Sequence, residues 1–170
     1  MILTFIQGRV IIILQGKGGD FWMLDFGNLI EELKVRKGMT NTDVSLYLDV
    51  SKSLLIKYIS GESYPKYEKS VPMLEKMDTE LKIDYGSGVE DFDYEKFKKF
   101  ISDNINEYGL LRMQLRTGMS TATLNRTRKK ADVNLNLRTI SCMADGMKIK
   151  LFFEKHYEMQ EEEKSEEAAI

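Results

Sequence analysis

Apolar residues near the start of the chain recur with the spacing of an amphipathic helix. Phe26, Leu29, Ile30 and Leu33 form an i, i+3, i+4, i+7 stripe, and Gly38 follows where such a helix would end. Thr40 and Ser51 are good N-caps for two shorter helices. The pattern therefore predicts three helices: one to Gly38, one from Thr40 to Leu48 with Val44 and Leu48 inward, and one from Ser51 to the C-terminal glycine Gly61.

The next residues favour a loop, a further helix and a strand. Pro65 is expected in the loop, and Pro72 in a first helical turn, the only part of a helix that readily tolerates a missing N–H. Apolar and polar residues then alternate in residues 81–85, which predicts a half-buried strand. Residues 149–153 show the same alternation, so a second strand is expected there.

The whole pattern occurs twice. Residues 50–55 (VSKSLL) recur 69 positions later as residues 119–124 (MSTATL). Toward both ends the offset becomes 68, which aligns Leu24 with Phe92 and Leu81 with Ile149. This predicts a first helical domain in residues 23–85, a linker in 86–91 and a second helical domain in 92–156. Each domain is expected to end in a short strand, and pairing of the two strands would cover their edges.

Charge is unevenly distributed along a chain whose formal net charge is only −2. Residues 108–138 carry seven cations and one anion, a net charge of +6, whereas residues 75–107 are mainly acidic. The tail, residues 157–170, is also acidic and lacks apolar periodicity, so we expect it to be disordered. One basic module between acidic flanks is the charge pattern of a nucleic-acid-binding segment.

Nothing in the sequence indicates catalysis. A single cysteine, Cys142, excludes an internal disulfide and suits a reducing cytoplasm; it is expected in the core. His156 has no second histidine or cysteine with which to bind zinc, and is expected at the surface. Phosphate-loop, nucleophile-elbow and metalloprotease motifs are absent from the sequence. We therefore expect a cytoplasmic protein that is not an enzyme, with no cofactor, no bound metal and no membrane partner.

Residues 1–22 form a distinct segment. Their apolar run, residues 10–14, is far shorter than the roughly 20 residues of a membrane span and predicts a single strand. Residues 17–20 (KGGD) can be encoded by a purine-rich sequence that resembles a bacterial ribosome-binding site upstream of Met23. The repeat also begins directly after Met23. We therefore expect the natural start at Met23 and a non-native leader in residues 1–22.

Residues 39–61 (MTNTDVSLYLDVSKSLLIKYISG) resemble the helix-turn-helix of the Cro/CI phage-repressor (XRE-like) family. Residues 40–41, 44–45 and 49–51 stand where that family has its Ser/Thr-Gln opening, its inward Leu-Ala and its Gly-Val-Ser turn. Asp49 replaces the usual turn glycine, and Ile59 replaces the usual glutamate of the Glu-x-Gly close. The second copy is closer to the family at the turn (117–124, TGMSTATL) but lacks the opening and closing motifs.

The resemblance covers about residues 24–153. It implies a mainly α fold of two tandem helix-turn-helix units with four to five helices each, and each unit ends in a short β-strand. It also implies a sequence-specific DNA-binding transcriptional regulator of a phage or mobile element, which acts as a homodimer on double-stranded DNA.

In this family the helix after the turn enters the major groove. Since Leu55 and Leu124 must face inward, the outward positions are candidates for DNA contact. They are Ser120, Thr121, Ala122, Asn125, Arg126, Arg128, Lys129 and Lys130 in the second copy, and Asn41, Lys52, Ser53 and Lys57 in the first. Arg126 suits guanine, Asn125 adenine and Ala122 a thymine methyl, whereas residues 128–130 suit phosphates. The alternative for residues 128–130 is a solvated helix end.

The third helix of the first copy has an apolar character that is unusual for a DNA reader. Leu54, Ile56 and Ile59 would form an apolar patch there, which is typical of a protein interface. We therefore expect the first domain to contribute to self-association or to binding of a protein partner. The main alternative function is accordingly a protein-binding inhibitor or antitoxin, such as an anti-defence protein, built on the same fold.

Overall fold

The computed structural model describes residues 2–6, 9–13, 24–129 and 133–156. Strands β1 (Ile2–Ile6) and β2 (Arg9–Ile13) pair antiparallel, so the single strand expected near residues 10–14 is one half of a hairpin. The predicted start at Met23 and the acidic tail, residues 157–170, lie outside the described residues.

The described part from residue 24 onward is mainly helical and carries a small antiparallel sheet. Its elements, in chain order, are α1 Phe26–Lys37, α2 Asn41–Tyr47, α3 Lys52–Ile59, α4 Tyr67–Lys76, β3 Thr79–Asp84, β4 Val89–Asp91, α5 Tyr94–Tyr108, α6 Leu110–Thr117, α7 Thr121–Lys129, α8 Leu137–Gly146 and β5 Lys150–Lys155. None of these helices combines the length and apolarity that crossing a membrane requires.

The three helices predicted first are confirmed, each with the end that its sequence encodes. Gly38 ends α1 in the left-handed conformation (φ 62°) that glycine adopts without strain. Thr40 begins α2 with a capping box: its hydroxyl accepts from the backbone N–H of Asp43, whose carboxylate accepts from the Thr40 N–H. The Ser51 hydroxyl accepts from Leu54 N and begins α3.

The expectation for Pro72 is wrong. It is the sixth residue of α4, past the first helical turn, because the helix begins as early as Tyr67. That start is set by a tertiary contact: Tyr67 N donates to Leu135 O, which holds the preceding residues extended. Pro72 has no N–H for the carbonyl of Glu68, but both residues are exposed or partly exposed, so water can supply the donor.

The same order of four helices and a strand occurs twice, in a first unit (residues 24–84) and a second unit (residues 92–155). Strands β3 and β5 pair antiparallel within the chain, which confirms the expected covering of their edges. Strand β4 pairs with the other edge of β3, so part of the predicted linker belongs to the sheet.

The offset of 68 expected at the end of the repeat is wrong, since the structure has 70 there. Lys66 and Asn136 are the N-caps of α4 and α8, and Asp78 and Lys148 share the unusual positive φ after these helices. Leu81 therefore corresponds to Leu151 rather than to Ile149. The additional residue lies between Leu124, where the offset from Leu55 is still 69, and Asn136, where the offset from Lys66 is 70.

The core consists of the inward helix faces and one face of the sheet. Leu33 and Leu55 in the first unit, and Ile101 and Leu124 in the second, are fully buried. Cys142 is only half-buried, and burial raises the pKa of its thiol, which keeps the thiol protonated at neutral pH.

Candidate nucleic-acid interface

Helix α7 is held at its start by a cap and along one face by buried side chains. Gly118 ends α6 in the left-handed conformation (φ 67°), and the Ser120 hydroxyl accepts from Thr123 N at 3.1 Å at the start of α7. Leu124 is completely buried and fixes the rotation of the helix about its axis. As a result the opposite face, which includes Thr121 and Ala122, is exposed to solvent.

Arg126 lies at the edge of a groove of about 570 Å³ between the two units. Tyr64 and Lys66 of the first unit line the same groove, as does Thr123, one turn before Arg126. Among the described residues, the Arg126 guanidinium has no ion-pair partner, although it stands on an exposed helix face. Its five N–H donors are therefore available to an external acceptor.

Asn125 and Arg128 are placed differently from the other candidates. Both are partly buried, and Arg128 donates to Asn125 Oδ1 at 3.0 Å and to Asn106 Oδ1 of α5 at 3.4 Å. The Arg128 side chain thus lies along the protein surface, and it occupies one of the two lone pairs of Asn125 Oδ1, which leaves the other lone pair for contact with adenine. Lys129 is exposed at the end of α7, and Lys130 lies outside the described residues.

The candidate DNA-contacting residues of the first unit also divide into exposed and partly buried side chains. Lys52, Ser53 and Lys57 are exposed on α3, and no ion-pair partner for either lysine occurs within the described ranges. Asn41 is partly buried at the start of α2, and its Oδ1 is shielded from solvent with no hydrogen bond to the described residues. Residues 52, 53 and 57 therefore form the available surface of this unit.

The expectation of an exposed apolar patch on α3 is wrong for two of its three residues. Leu54 and Ile59 are partly buried and pack against the core, whereas Ile56 is 48% exposed. Ile59 is held tightly because α1 crosses its backbone: a Cβ on Gly27 would lie 2.5 Å from Ile59 O. What remains outward on α3 is one isoleucine between lysines, a surface compatible with DNA.

Three exposed apolar side chains lie on the helices that precede the two turns. Leu46 of α2 and Leu115 of α6 occupy equivalent positions and are 76% and 80% exposed, and Leu111 lies one turn before Leu115. The offset of 69 between the two copies pairs Leu46 with Leu115 but gives no sign of their exposure, because solvent contact depends on which neighbours pack around each helix.

Two further arginines lie over tyrosine rings. Arg138 of α8 places its guanidinium carbon 6.0 Å from the centre of the Tyr64 ring in the groove, whereas Arg116 of α6 stands 4.8 Å from the ring of Tyr108, which does not line the groove. Burial is the main factor that raises the pKa of Tyr64, so the hydroxyl stays neutral beside Arg138. Sequence reasoning missed Tyr64 and Lys66, because they are loop residues that only the packing of the units brings to α7.

Comparisons of the chain with protein-family models, with curated proteins and with solved structures found no match.

Proposed function

We propose that this protein is a sequence-specific DNA-binding regulator built from two tandem helix-turn-helix units. In this proposal α3 and α7 are the recognition helices, and the protein acts in the cytoplasm as a transcriptional regulator of a phage or mobile element. The observation that carries it is Arg126, whose guanidinium has no ion-pair partner among the described residues and stands on a short helix that Leu124 holds in place. Arginine with two donors toward guanine is the commonest base-specific contact in the major groove.

The charges around Arg126 support the same partner. Arg112, Arg116 and Lys129 are exposed on α6 and α7, on either side of the turn at Gly118. Cations in such positions bind phosphates, which orient a protein on the duplex and supply most of the salt-dependent affinity. The net charge of −2 does not oppose this, because the acidic residues are concentrated in other segments.

Arg126→Ala should lose about 1–3 kcal/mol of specific binding free energy and relax the preference at one base position. The matched control is Lys129→Ala, which should weaken binding to all sequences alike and reduce the salt slope by about one phosphate contact. Target duplexes would first be selected from a random library, and affinity then measured by fluorescence anisotropy at two salt concentrations. Unchanged affinity in both variants would contradict the proposal.

A protein partner is a second candidate, because Leu111 and Leu115 are exposed one turn apart on α6. An inhibitor or antitoxin that uses this face would bury both side chains against its target. Leu111→Asp combined with Leu115→Asp should then abolish partner binding while the melting temperature and DNA affinity stay unchanged. A pull-down with the variant and the wild type, followed by anisotropy with the selected duplex, checks this. Retention of every partner by the variant argues against this candidate.

A further inference from the structure

The two units are related by an approximate two-fold axis, which is visible in the hydrogen bonds between them. Tyr67 N donates to Leu135 O at 2.9 Å, and Leu137 N donates to Pro65 O at 3.0 Å. At the offset of 70, Pro65 and Tyr67 correspond to Leu135 and Leu137. Exchanging the equivalent residues of the two units therefore converts each hydrogen bond into the other, as in the symmetric interface of a two-fold dimer.

The sheet repeats this symmetry at a second place. Leu81 pairs with Phe153, and Ile83 pairs with Leu151, the counterpart of Leu81. At the centre of the β3–β5 ladder Lys82 pairs with Phe152, which is the residue equivalent to Lys82 in the second unit. The axis thus passes through two points: the bridge between Lys66 and Asn136, and the middle of the sheet.

Packing across the axis holds the two units as one body. Tyr67 of the first unit stacks on Tyr94 of the second, with ring centres 4.8 Å apart and planes 11° from parallel. Leu24 N donates to the buried Ser141 Oγ at 3.1 Å. The buried Lys155 ammonium pairs with Glu32 of α1. These contacts fix the distance and orientation between α3 and α7.

Both α3 and α7 lie at the bridge end of the axis. Lys66, a bridge residue, lines the same groove as Thr123 and Arg126 of α7, which places α7 directly beside the bridge. The two-fold relation places α3 beside the bridge on the other side. In two-fold repressors this is the arrangement that presents two recognition helices to successive turns of one major groove.

We infer that one chain binds one duplex through both helices, so that its internal symmetry replaces the homodimer expected from the sequence. This inference rests on the proposed function. The two half-sites are unequal in sequence, because α3 presents Lys52, Ser53, Ile56 and Lys57 whereas α7 presents Thr121, Ala122 and Arg126. Their centres lie about 34–36 Å apart, one turn of the double helix.

The first measurement is stoichiometry, with the full chain and a duplex selected from a random library. Light scattering after size exclusion should show a monomeric free chain and a complex of one chain per duplex. The footprint should cover two unlike half-sites. A complex of two chains on one duplex overturns the inference but leaves the proposed function in place. If no duplex is selected, both fail.

The second measurement assigns each half-site to its helix. Scrambling either half-site should weaken wild-type binding about tenfold or more, which corresponds to at least about 1.4 kcal/mol. Arg126→Ala should reduce the loss of affinity caused by scrambling one half-site, and Lys52→Ala with Lys57→Ala should reduce the loss caused by scrambling the other. If scrambling affects only the half-site read by Arg126, α3 does not read DNA and the inference is overturned, while DNA binding by α7 stands.

Discussion

Lys82→Met is expected to lower the free energy of unfolding by about 3 kcal/mol. The Lys82 ammonium lies in the middle of β3, 2.6 Å from Glu80 and 3.2 Å from Glu154, and it also pairs with Asp91. The Lys82 and Glu154 side chains are only 12% and 11% exposed. Methionine would leave Glu154 with little solvent and without this cation, and removing one member of a largely buried pair is far more costly than the pair is stabilising.

Urea denaturation at pH 7 measures this effect. Lys99→Met is the matched control, because Lys99 pairs with Asp103 on α5 through side chains that are 77% and 59% exposed. The control should change the free energy of unfolding by about 0.5 kcal/mol or less. If Lys82→Met is as mild as the control, the ammonium is not required at the centre of the sheet.

The stability difference between wild type and Lys82→Met should depend on pH in a defined direction. Hydrogen bonds to Lys82 lower the pKa of Glu80 and of Asp91 below their ordinary values of 4.5 and 3.8. Groups with lowered pKa stabilise the fold above the ordinary value, and this contribution disappears as the pH falls through the lowered one. For Lys82, burial opposes the charge, but the three carboxylates outweigh it and raise the pKa above 10.5, so its contribution is lost only in strong alkali. The difference should therefore be constant from about neutral pH to about pH 10 and shrink in acid, most strongly below about pH 4.

Gly146→Ala should also lower the free energy of unfolding by about 3 kcal/mol. In an open helical position this change would stabilise the protein by up to about 1 kcal/mol, because alanine is the better helix former. Gly146, however, lies where α8 crosses the end of α6: a Cβ there would lie 2.3 Å from Arg116 O and 2.6 Å from Thr117 Cα. Both atoms belong to the backbone just before the turn at Gly118, so the clash cannot be relieved by a side-chain rotation.

Thermal and urea unfolding of Gly146→Ala, compared with Gly38→Ala, tests this close approach. Gly38 has a left-handed φ of 62°, but a Cβ there would meet no atom within 4 Å, so alanine should cost only about 1 kcal/mol of backbone strain. A stabilised Gly146→Ala would show that α6 and α8 are not packed this closely. A displaced α6 would also move the turn that orients α7, so specific DNA affinity should fall in the same variant.

Several features of this protein were determined by the sequence alone, because they depend on contacts between residues close in the chain. Caps such as Thr40 and Ser51 act on backbone groups three residues away, and the helical stripe that includes Leu33 is read over two turns. The same periodicity predicts that Leu55 and Leu124 face the core, and both are fully buried. The recurrence of the pattern then predicted two units, each ending in a strand.

Other features were decided only by tertiary structure. The early start of α4, and with it the interior position of Pro72, depends on a hydrogen bond from Tyr67 to Leu135, far along the chain. The partial burial of Ile59 and the hydrogen bonds of Arg128 within the protein likewise depend on other elements, because α1 crosses the backbone of Ile59 and Asn106 of α5 accepts from Arg128. The two-fold axis is the largest such feature. The sequence repeat shows that the units are alike, but their relative orientation is set by the bridge, the sheet and the side chains packed between them.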